Sequence, residues 1–237
     1  RPYTRGGGRE KRKWPVSAEM IRAWTRATQD DKYHTMNKAA ALLAFTCLLR
    51  VSEYAKTPAK KYDGIRRKHI KFFGPVGADG IPEKMIVVIP TDKTNRFRYG
   101  AELRQFRTHR ELCVVEAMWK YLKSTEPGPD RPIFQYKGKH DQRLQLNRSH
   151  VSKWVKTMAA LTGKQEDEFN THSFRAGGAC AMWAANYGAD AIMSMGRWRS
   201  DCWMIYRSQS DHRVRDIQKD MLATDGGYMV YADIYRR

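Results

Sequence analysis

Cysteine is scarce in this sequence of 237 residues, and no two cysteines lie close together. The four are Cys47, Cys113, Cys180 and Cys202. Structural zinc sites and disulfide frameworks both use closely spaced pairs, so this spacing argues against either arrangement. Three of the four lie among apolar or small residues in predicted helices. We therefore expect free, buried thiols in a reducing compartment.

Long apolar runs and nucleotide-binding motifs are missing as well. No apolar run approaches the roughly 20 residues that span a bilayer, so we expect no membrane partner. The sequence has no Gly-rich phosphate loop ending in Lys-Ser or Lys-Thr, and no nearby pair of carboxylates to hold magnesium. We expect neither a metal nor a cofactor. The predicted location is intracellular, and nuclear if the source is eukaryotic.

Acidic residues are few relative to basic ones. The chain has 25 Asp and Glu residues against 44 Lys and Arg residues, giving a formal net charge of +19 and a pI of 9.9. The basic residues are spread from Arg1 to Arg237, and none of the predicted helices combines a basic face with a bulky apolar one. This distribution favours a protein that wraps a nucleic-acid duplex over one that binds a membrane surface.

The predicted organisation is one main domain preceded by a short arm. Residues 1–14 combine three consecutive glycines with many basic residues, which is typical of a flexible basic arm. Because the chain begins with Arg rather than Met, we expect a fragment. Residues 15–237 are expected to form the domain.

The predicted helices cover 17–28, 35–49, 111–123 and 148–161, with further helices from Thr171 onward. The predicted strands, 69–73, 84–90 and 96–103, form a three-stranded antiparallel sheet. The fold class is therefore mixed α/β, mostly α, with the small sheet packed on a helical core.

Three candidate site residues follow from their positions in the chain. The helix predicted over 35–49 is apolar around nearly its whole circumference, and it brings Arg50 to the edge of the core. Glu53, three residues later, can orient the Arg50 guanidinium, although an ordinary buried ion pair would look the same. Lys93 lies at the tip of the second predicted hairpin. A flexible amine there can reach a neighbouring site, or it can simply be solvated.

The segment from Thr171 to Arg207 holds the other candidates. His172 and Arg175 are three residues apart at a predicted helix start, so they share a face and can bind one small anion. Gly177 and Gly178 inside this helix indicate that another element packs very close. Tyr206 is the candidate nucleophile. Because a phenol has a pKa near ~10, it needs a base to take its proton and cations to stabilise the developing charge.

Four segments together carry a resemblance to a known family. They are LLRVSE, TDKTN, THSFRAGGA and MGRWRSDCWMIYRS, and they span the chain from Arg50 to Tyr206. In order and separation they resemble the signature boxes of the tyrosine recombinases, the phage-integrase-like DNA strand-exchange enzymes. The resemblance implies that the catalytic domain occupies nearly the whole chain after the basic arm. The domain that usually completes the family's clamp around DNA has no counterpart in the sequence.

The resemblance also implies roles for individual residues. Arg50 and Arg175 would bind the scissile phosphate, and Glu53 would hold an arginine in place. His172 would act as general base or phosphate ligand, and Lys93 would protonate the departing 5′ oxygen. Tyr206 would form a 3′-phosphotyrosyl bond, without metal or ATP. Homotetramers on paired DNA sites are implied too, with a C-terminal helix or tail from about residue 211 exchanged between protomers.

One position departs from the family pattern. At the glycine that corresponds to Gly196, in the MGRW segment, the family mostly has His or Trp as the next residue. Here Arg197 follows Gly196, and Trp198 comes after it. This position is called the third box below. Either Arg197 is an additional phosphate ligand, or Trp198 takes the role by packing and its indole N–H. The Gly-Arg-Trp form is similar to that of recombinases from eukaryotic mobile elements, including DIRS-like retroelements and cryptons. Two rival functions stay open at this point: a type IB topoisomerase, and an inactive DNA-binding protein of the same fold.

Overall fold

The computed structural model describes residues 13–28, 33–58, 64–90, 100–125, 128–138 and 140–199, together with Met204 and residues 218–219. The chain divides into two units, Arg1–Tyr206 and Arg207–Arg237, and nearly all described residues belong to the first. Several predictions lie outside the described residues. They concern Lys93, Tyr206, the C-terminal segment from residue 211, and the basic arm apart from Lys13 and Trp14.

The described part contains seven α-helices and two small antiparallel sheets. The helices are α1 (Ala18–Ala27), α2 (His34–Thr46), α3 (Val51–Tyr54), α4 (Val114–Thr125), α5 (Arg148–Leu161), α6 (Ser173–Ala184) and α7 (Ala189–Gly196). The strands are β1 (Ile70–Val76), β2 (Pro82–Ile89), β3 (Ala101–Phe106), β4 (Gln135–Lys137) and β5 (Arg143–Gln145). None of these helices has the length and apolar composition needed to cross a membrane.

The helical core forms around α2. Its residues from Ala39 to Ala44 are all buried, and it packs against both α4 and α6, while α1 packs against α5. The Ser17 side chain accepts a hydrogen bond from the Met20 amide and caps α1, as predicted. The Trp24 and Trp154 rings lie 5.5 Å apart between α1 and α5. Trp154 is therefore a core residue, which confirms the prediction for this side chain.

The end of α2 differs from the prediction. The helix stops at Thr46 rather than near residue 49, because Leu48 adopts a left-handed conformation with φ of 46°. The chain turns there, and Arg50 becomes the N-cap of the short helix α3, which sequence periodicity did not predict. Since residues 47–49 are as apolar as the helix before them, the pattern alone gave no stop signal.

The three-stranded antiparallel sheet is confirmed, with strand order β1-β2-β3. In its register Val87 lies between Ile70 of β1 and Leu103 of β3, and all three side chains face the core. The third strand runs three residues beyond its predicted end, to Phe106. The two-stranded sheet β4-β5 was missed. Each of its strands has only three residues, too few for an alternation to be read.

The two glycines of α6 lie at a close approach between elements, as predicted. A Cβ on Gly177 would overlap the carbonyl oxygen of Val16, and a Cβ on Gly178 would overlap the carbonyl oxygen of Phe45 in α2. These neighbours are backbone atoms, which cannot rotate away as a flexible side chain would. Gly178 therefore allows α6 to lie directly against the end of α2, and Gly177 allows it to lie against the segment before α1.

We expect Gly178→Ala to destabilise the protein, although Gly→Ala within a helix normally stabilises by up to about 1 kcal/mol. Because the added methyl group must push α6 away from α2, the free energy of unfolding should fall by about 1–3 kcal/mol. Urea unfolding followed by circular dichroism measures this. Ser194→Ala, at an exposed position of α7, is the control and should change stability little. Unchanged or raised stability for Gly178→Ala would contradict the close packing.

Candidate active site

Arg50 and Glu53 form the first part of the candidate site. Arg50 Nη1 lies 3.1 Å from Glu53 Oε1, and the Arg50 amide donates to Glu53 Oε2 at 2.8 Å. The second contact is the arrangement by which a side chain in the first turn of a helix caps its own N-terminus. The Glu53 side chain is 8% exposed and that of Arg50 is 21% exposed. The carboxylate is thus enclosed, while the guanidinium is at the surface of the core.

Arg175 of α6 reaches the same region from the opposite side. Its Nη1 donates to the carbonyl oxygen of Leu48, and its Nη2 donates to that of Gly196. The guanidinium carbon also lies 4.2 Å from the centre of the Trp198 ring, a cation–π contact. Arg175 is only 4% exposed. It therefore joins the residues that precede Arg50 to the end of α7 and holds a positive charge between them.

The Gly196-Arg197-Trp198 sequence makes a tight turn at the end of α7. Arg197 is left-handed with φ of 56°, and its buried side chain enters the core. Arg197 Nη2 lies 2.7 Å from Glu53 Oε2, and Nη1 donates to the Cys47 carbonyl oxygen at 3.2 Å. Gly196 leaves room for the Trp198 ring, which a Cβ at that position would overlap. Gly196 is thus needed because a side chain there would collide with the Trp198 ring. The left-handed backbone conformation of the turn is adopted by Arg197, not by the glycine.

This geometry bears on the two alternatives for the third box. The Arg197 guanidinium lies on the same carboxylate as Arg50, whereas Trp198 lies against the face of Arg175. The contacts of Trp198 fit the alternative in which it acts by packing. Those of Arg197 fit a residue that holds Glu53, and its role in the reaction stays a prediction.

His172 immediately precedes α6 and is exposed. Its amide donates to Asn170 Oδ1 at 2.8 Å, and the Asn170 amide donates to Ser173 Oγ at 3.0 Å, so local hydrogen bonds fix the turn. The pKa of His172 is lowered from its ordinary value, first because its ring is partly withdrawn from water and then by the positive charges of Arg148 and Arg175. At neutral pH the imidazole is therefore uncharged and able to accept a proton.

Comparisons with known proteins identify the fold. No protein-family model matches the chain, and no curated protein does. Among solved structures, the chain is similar to the XerH site-specific recombinase bound to its difH substrate, with 11% identity and a TM-score of 0.58 over 88% of this chain. It is also similar to the Tn1549 transposon integrase in complex with transposon right end DNA, with 13% identity and a TM-score of 0.54 over 91% of this chain. A third similar structure is a lambda integrase dimer bound to a COC′ core site, with 14% identity and a TM-score of 0.56 over 86% of this chain. This chain has the tyrosine-recombinase catalytic-domain fold. The matches cover 53%, 68% and 51% of those proteins, so the chain spans about half of XerH and of lambda integrase.

Within this tyrosine-recombinase fold, most of the predicted site residues lie together. Arg175 and Arg197 both contact backbone carbonyls of the segment 47–48, which leads directly to Arg50. Glu53 joins Arg50 to Arg197, and His172 lies one helical turn before Arg175. Lys93 and Tyr206 lie outside the described residues, so their roles stay predictions.

Some residues of the site were missed by sequence reasoning. Asn170 positions His172, and an Asn two residues before a candidate base is a recognisable turn signal. The other missed groups are main-chain carbonyls, those of Cys47, Leu48 and Gly196, which no side-chain motif could reveal. Arg148, whose charge acts on His172, was assigned only to a helix.

Metal-ligating and thiol groups also bear on what chemistry the site can perform. Among the described residues no group of three or more His, Cys, Asp or Glu side chains is arranged to hold a metal ion. Cys47 and Cys113 are free and buried, Cys180 is partly buried, and Cys202 lies outside the described residues. Burial raises the pKa of the Cys47 thiol to about 12, so this residue is not a nucleophile at neutral pH despite its place beside the site.

Proposed function

We propose that this chain is the catalytic part of a site-specific DNA recombinase that cuts and rejoins strands through a 3′-phosphotyrosyl intermediate. The observation that carries the proposal is the meeting of Arg50, Glu53 and Arg175 at the end of α2, with the neutral His172 beside them. Positive charge that is already in place where negative charge develops in the transition state makes the largest contribution to catalysis of phosphoryl transfer.

The proposed reaction is a transfer of the phosphodiester from one oxygen to another. The Tyr206 oxygen attacks phosphorus, the bond from phosphorus to the 5′ oxygen breaks, and a 3′-phosphotyrosyl bond forms. His172 accepts the phenolic proton, and Lys93 donates a proton to the departing 5′ oxygen. Arg50 and Arg175 stabilise the nonbridging oxygens, for which a planar guanidinium is well suited. Because the new bond retains the free energy of the old one, rejoining uses no ATP.

The proposed partner is double-stranded DNA, and the proposed assembly is a homotetramer on paired sites. The net charge of +19 supports a DNA partner, as do the similar structures that contain DNA. A mobile element is the proposed source, since one similar protein is a transposon integrase. The eukaryotic DIRS-like or crypton branch rests on the Gly-Arg-Trp resemblance alone.

The test is covalent capture of DNA. Because the target sequence is unknown, the protein is incubated with a pool of nicked duplexes of randomised central sequence, on which cleavage releases a short strand and traps the enzyme. We expect a protein–DNA adduct that survives denaturing electrophoresis, and sequencing of the trapped strands then gives the site. Tyr206→Phe should abolish the adduct. Tyr187→Phe, which alters an exposed tyrosine before α7, is the matched control and should form it normally.

The rival functions give different results in the same assay. An inactive DNA-binding protein would bind the duplexes but form no adduct at any salt concentration or pH. A type IB topoisomerase would form the adduct and relax supercoiled plasmid, but would give no recombinant product from paired sites. An adduct that persists in Tyr206→Phe would refute the proposed nucleophile.

A further inference from the structure

Two basic residues outside the site are held on paired backbone segments. Lys56 follows directly after α3, and Arg148 is the first residue of α5. The Lys56 amide donates to the Leu146 carbonyl at 2.8 Å, and the Arg148 amide donates to the Lys56 carbonyl at 2.9 Å. These bonds form a parallel bridge between Lys56 and Asn147. The two side chains therefore leave from neighbouring, fixed points of the backbone.

Both side chains are exposed, and within the described ranges neither has an ion-pair partner. Some other exposed cations of the described residues do have one. Arg26 lies 2.7 Å from Glu111, and Lys68 lies 2.7 Å from Asp130. The nearby carboxylate of Glu53 is buried and already bound by Arg50 and Arg197.

The bridge lies next to the candidate site. Lys56 is separated from Arg50 only by α3 and Ala55. Arg148 lies close enough to His172 for its charge to lower the pKa of the imidazole. The two exposed cations thus lie near Arg50 along the chain and near His172 in space.

We propose that Lys56 and Arg148 bind backbone phosphates of the DNA strand beside the scissile phosphate, on the side of His172. The inference rests on the proposed function and adds a binding subsite to it. The ligand is a phosphodiester, whatever the bases, because long basic side chains on the surface form contacts with phosphate oxygens. Their fixed backbone positions would set the register of the strand and so bring the scissile phosphorus to the arginines.

Salt dependence of binding gives the first test. The variants Lys56→Ala and Arg148→Ala are made in the Tyr206→Phe protein, which is expected not to cleave DNA. The affinity of each protein for a non-specific duplex is measured over a range of salt concentrations. Each lost phosphate contact should reduce the slope of log affinity against log salt by about 0.9, and the double variant by about twice that amount. Lys164→Ala, an exposed lysine just beyond the opposite end of α5, is the matched control and should keep the full slope.

Neutralising one DNA phosphate at a time identifies the phosphate that Arg148 contacts. A methylphosphonate is placed in turn at each phosphate flanking the cleavage site recovered by adduct capture. At the phosphate that Arg148 contacts, the neutral group should weaken DNA binding by the parent protein. It should not weaken DNA binding by Arg148→Ala further, because that variant has already lost the contact. Additive losses at every position would overturn the assignment of Arg148 to one phosphate.

The location of Arg148 is also tested without DNA. Titration of His172 by NMR should give a higher pKa in Arg148→Ala than in the parent protein, while Lys164→Ala should leave it unchanged. Thermal unfolding of each variant checks that the fold is intact, which the exposure of these side chains leads us to expect. An unchanged His172 pKa would contradict the placement.

The outcomes separate this inference from the proposed function. If the parent protein forms adducts but both variants keep the slope of the Lys164→Ala control, the subsite is refuted and the recombinase stands. If the slopes fall as expected but no adduct ever forms, the subsite stands and strand cleavage is refuted. A protein that binds no duplex at low salt would refute both.

Discussion

Replacing Arg175 by lysine should almost abolish adduct formation, although the positive charge is kept. A lysine amine cannot donate to the carbonyls of Leu48 and Gly196 at once, and it cannot present a planar face to Trp198. The charge would therefore no longer be held where the phosphate binds. Loss of one such preorganised donor costs about 10²–10³ in rate. Single-turnover adduct formation on the captured DNA site measures this loss.

The same substitution should also lower stability. Two buried carbonyl oxygens would lose a donor, and each buried group left unsatisfied costs about 1–3 kcal/mol. Urea unfolding would show the change. Arg104→Lys, on the exposed face of β3, is the control and should alter neither quantity. If Arg175→Lys cleaved at the parent rate, Arg175 would not be the phosphate ligand proposed here.

Replacing Arg197 by alanine is expected to have the largest effect on stability. The substitution leaves the enclosed Glu53 carboxylate with one arginine instead of two, and it removes a donor from the Cys47 carbonyl. Breaking a buried ion pair by removing one partner typically costs about 3–5 kcal/mol. Adduct formation should slow as well, because Glu53 then neutralises Arg50 more completely and weakens its attraction for phosphate. Unfolding in urea and single-turnover cleavage measure the two effects.

A double-mutant cycle distinguishes this role from direct phosphate binding. If Arg197 acts through Glu53, the double change Arg197→Ala with Glu53→Gln should cost clearly less stability than the sum of the single changes. Additive costs would indicate that Arg197 acts elsewhere. Arg197→His gives a further check, since it restores the residue usual in the family. We expect it to cleave more slowly than the parent, and a gain in cleavage would show that this position matters as the family pattern implies.

The parts of the fold that sequence predicted well are those with a strong periodic signal. Helix α5 was predicted with its observed bounds, and the central sheet was predicted from two apolar runs and a polar turn. The pairing of Arg50 with Glu53 followed from their spacing. The close approach at Gly177 and Gly178 followed from the energetic cost of glycine within a helix.

The parts that sequence could not predict depend on contacts between distant segments. Nothing in the order Gly196, Arg197, Trp198 indicates that the arginine turns inward and the tryptophan lies against Arg175. That outcome depends on Glu53, which is contributed by another region of the chain. The left-handed Leu48 is similar, since its local sequence is typical of a continuing helix.

The hydrogen bonds that assemble the site join residues 127 and 144 positions apart, Arg175 with Leu48 and Arg197 with Glu53. A ribosome must therefore complete the chain beyond residue 197 before the cluster can close. Contacts of such long sequence separation form slowly, because the intervening chain must first be ordered. A nascent or truncated chain would hold its basic residues without this geometry. It would keep its positive charge while lacking the arrangement of arginines on which the proposed strand cleavage depends.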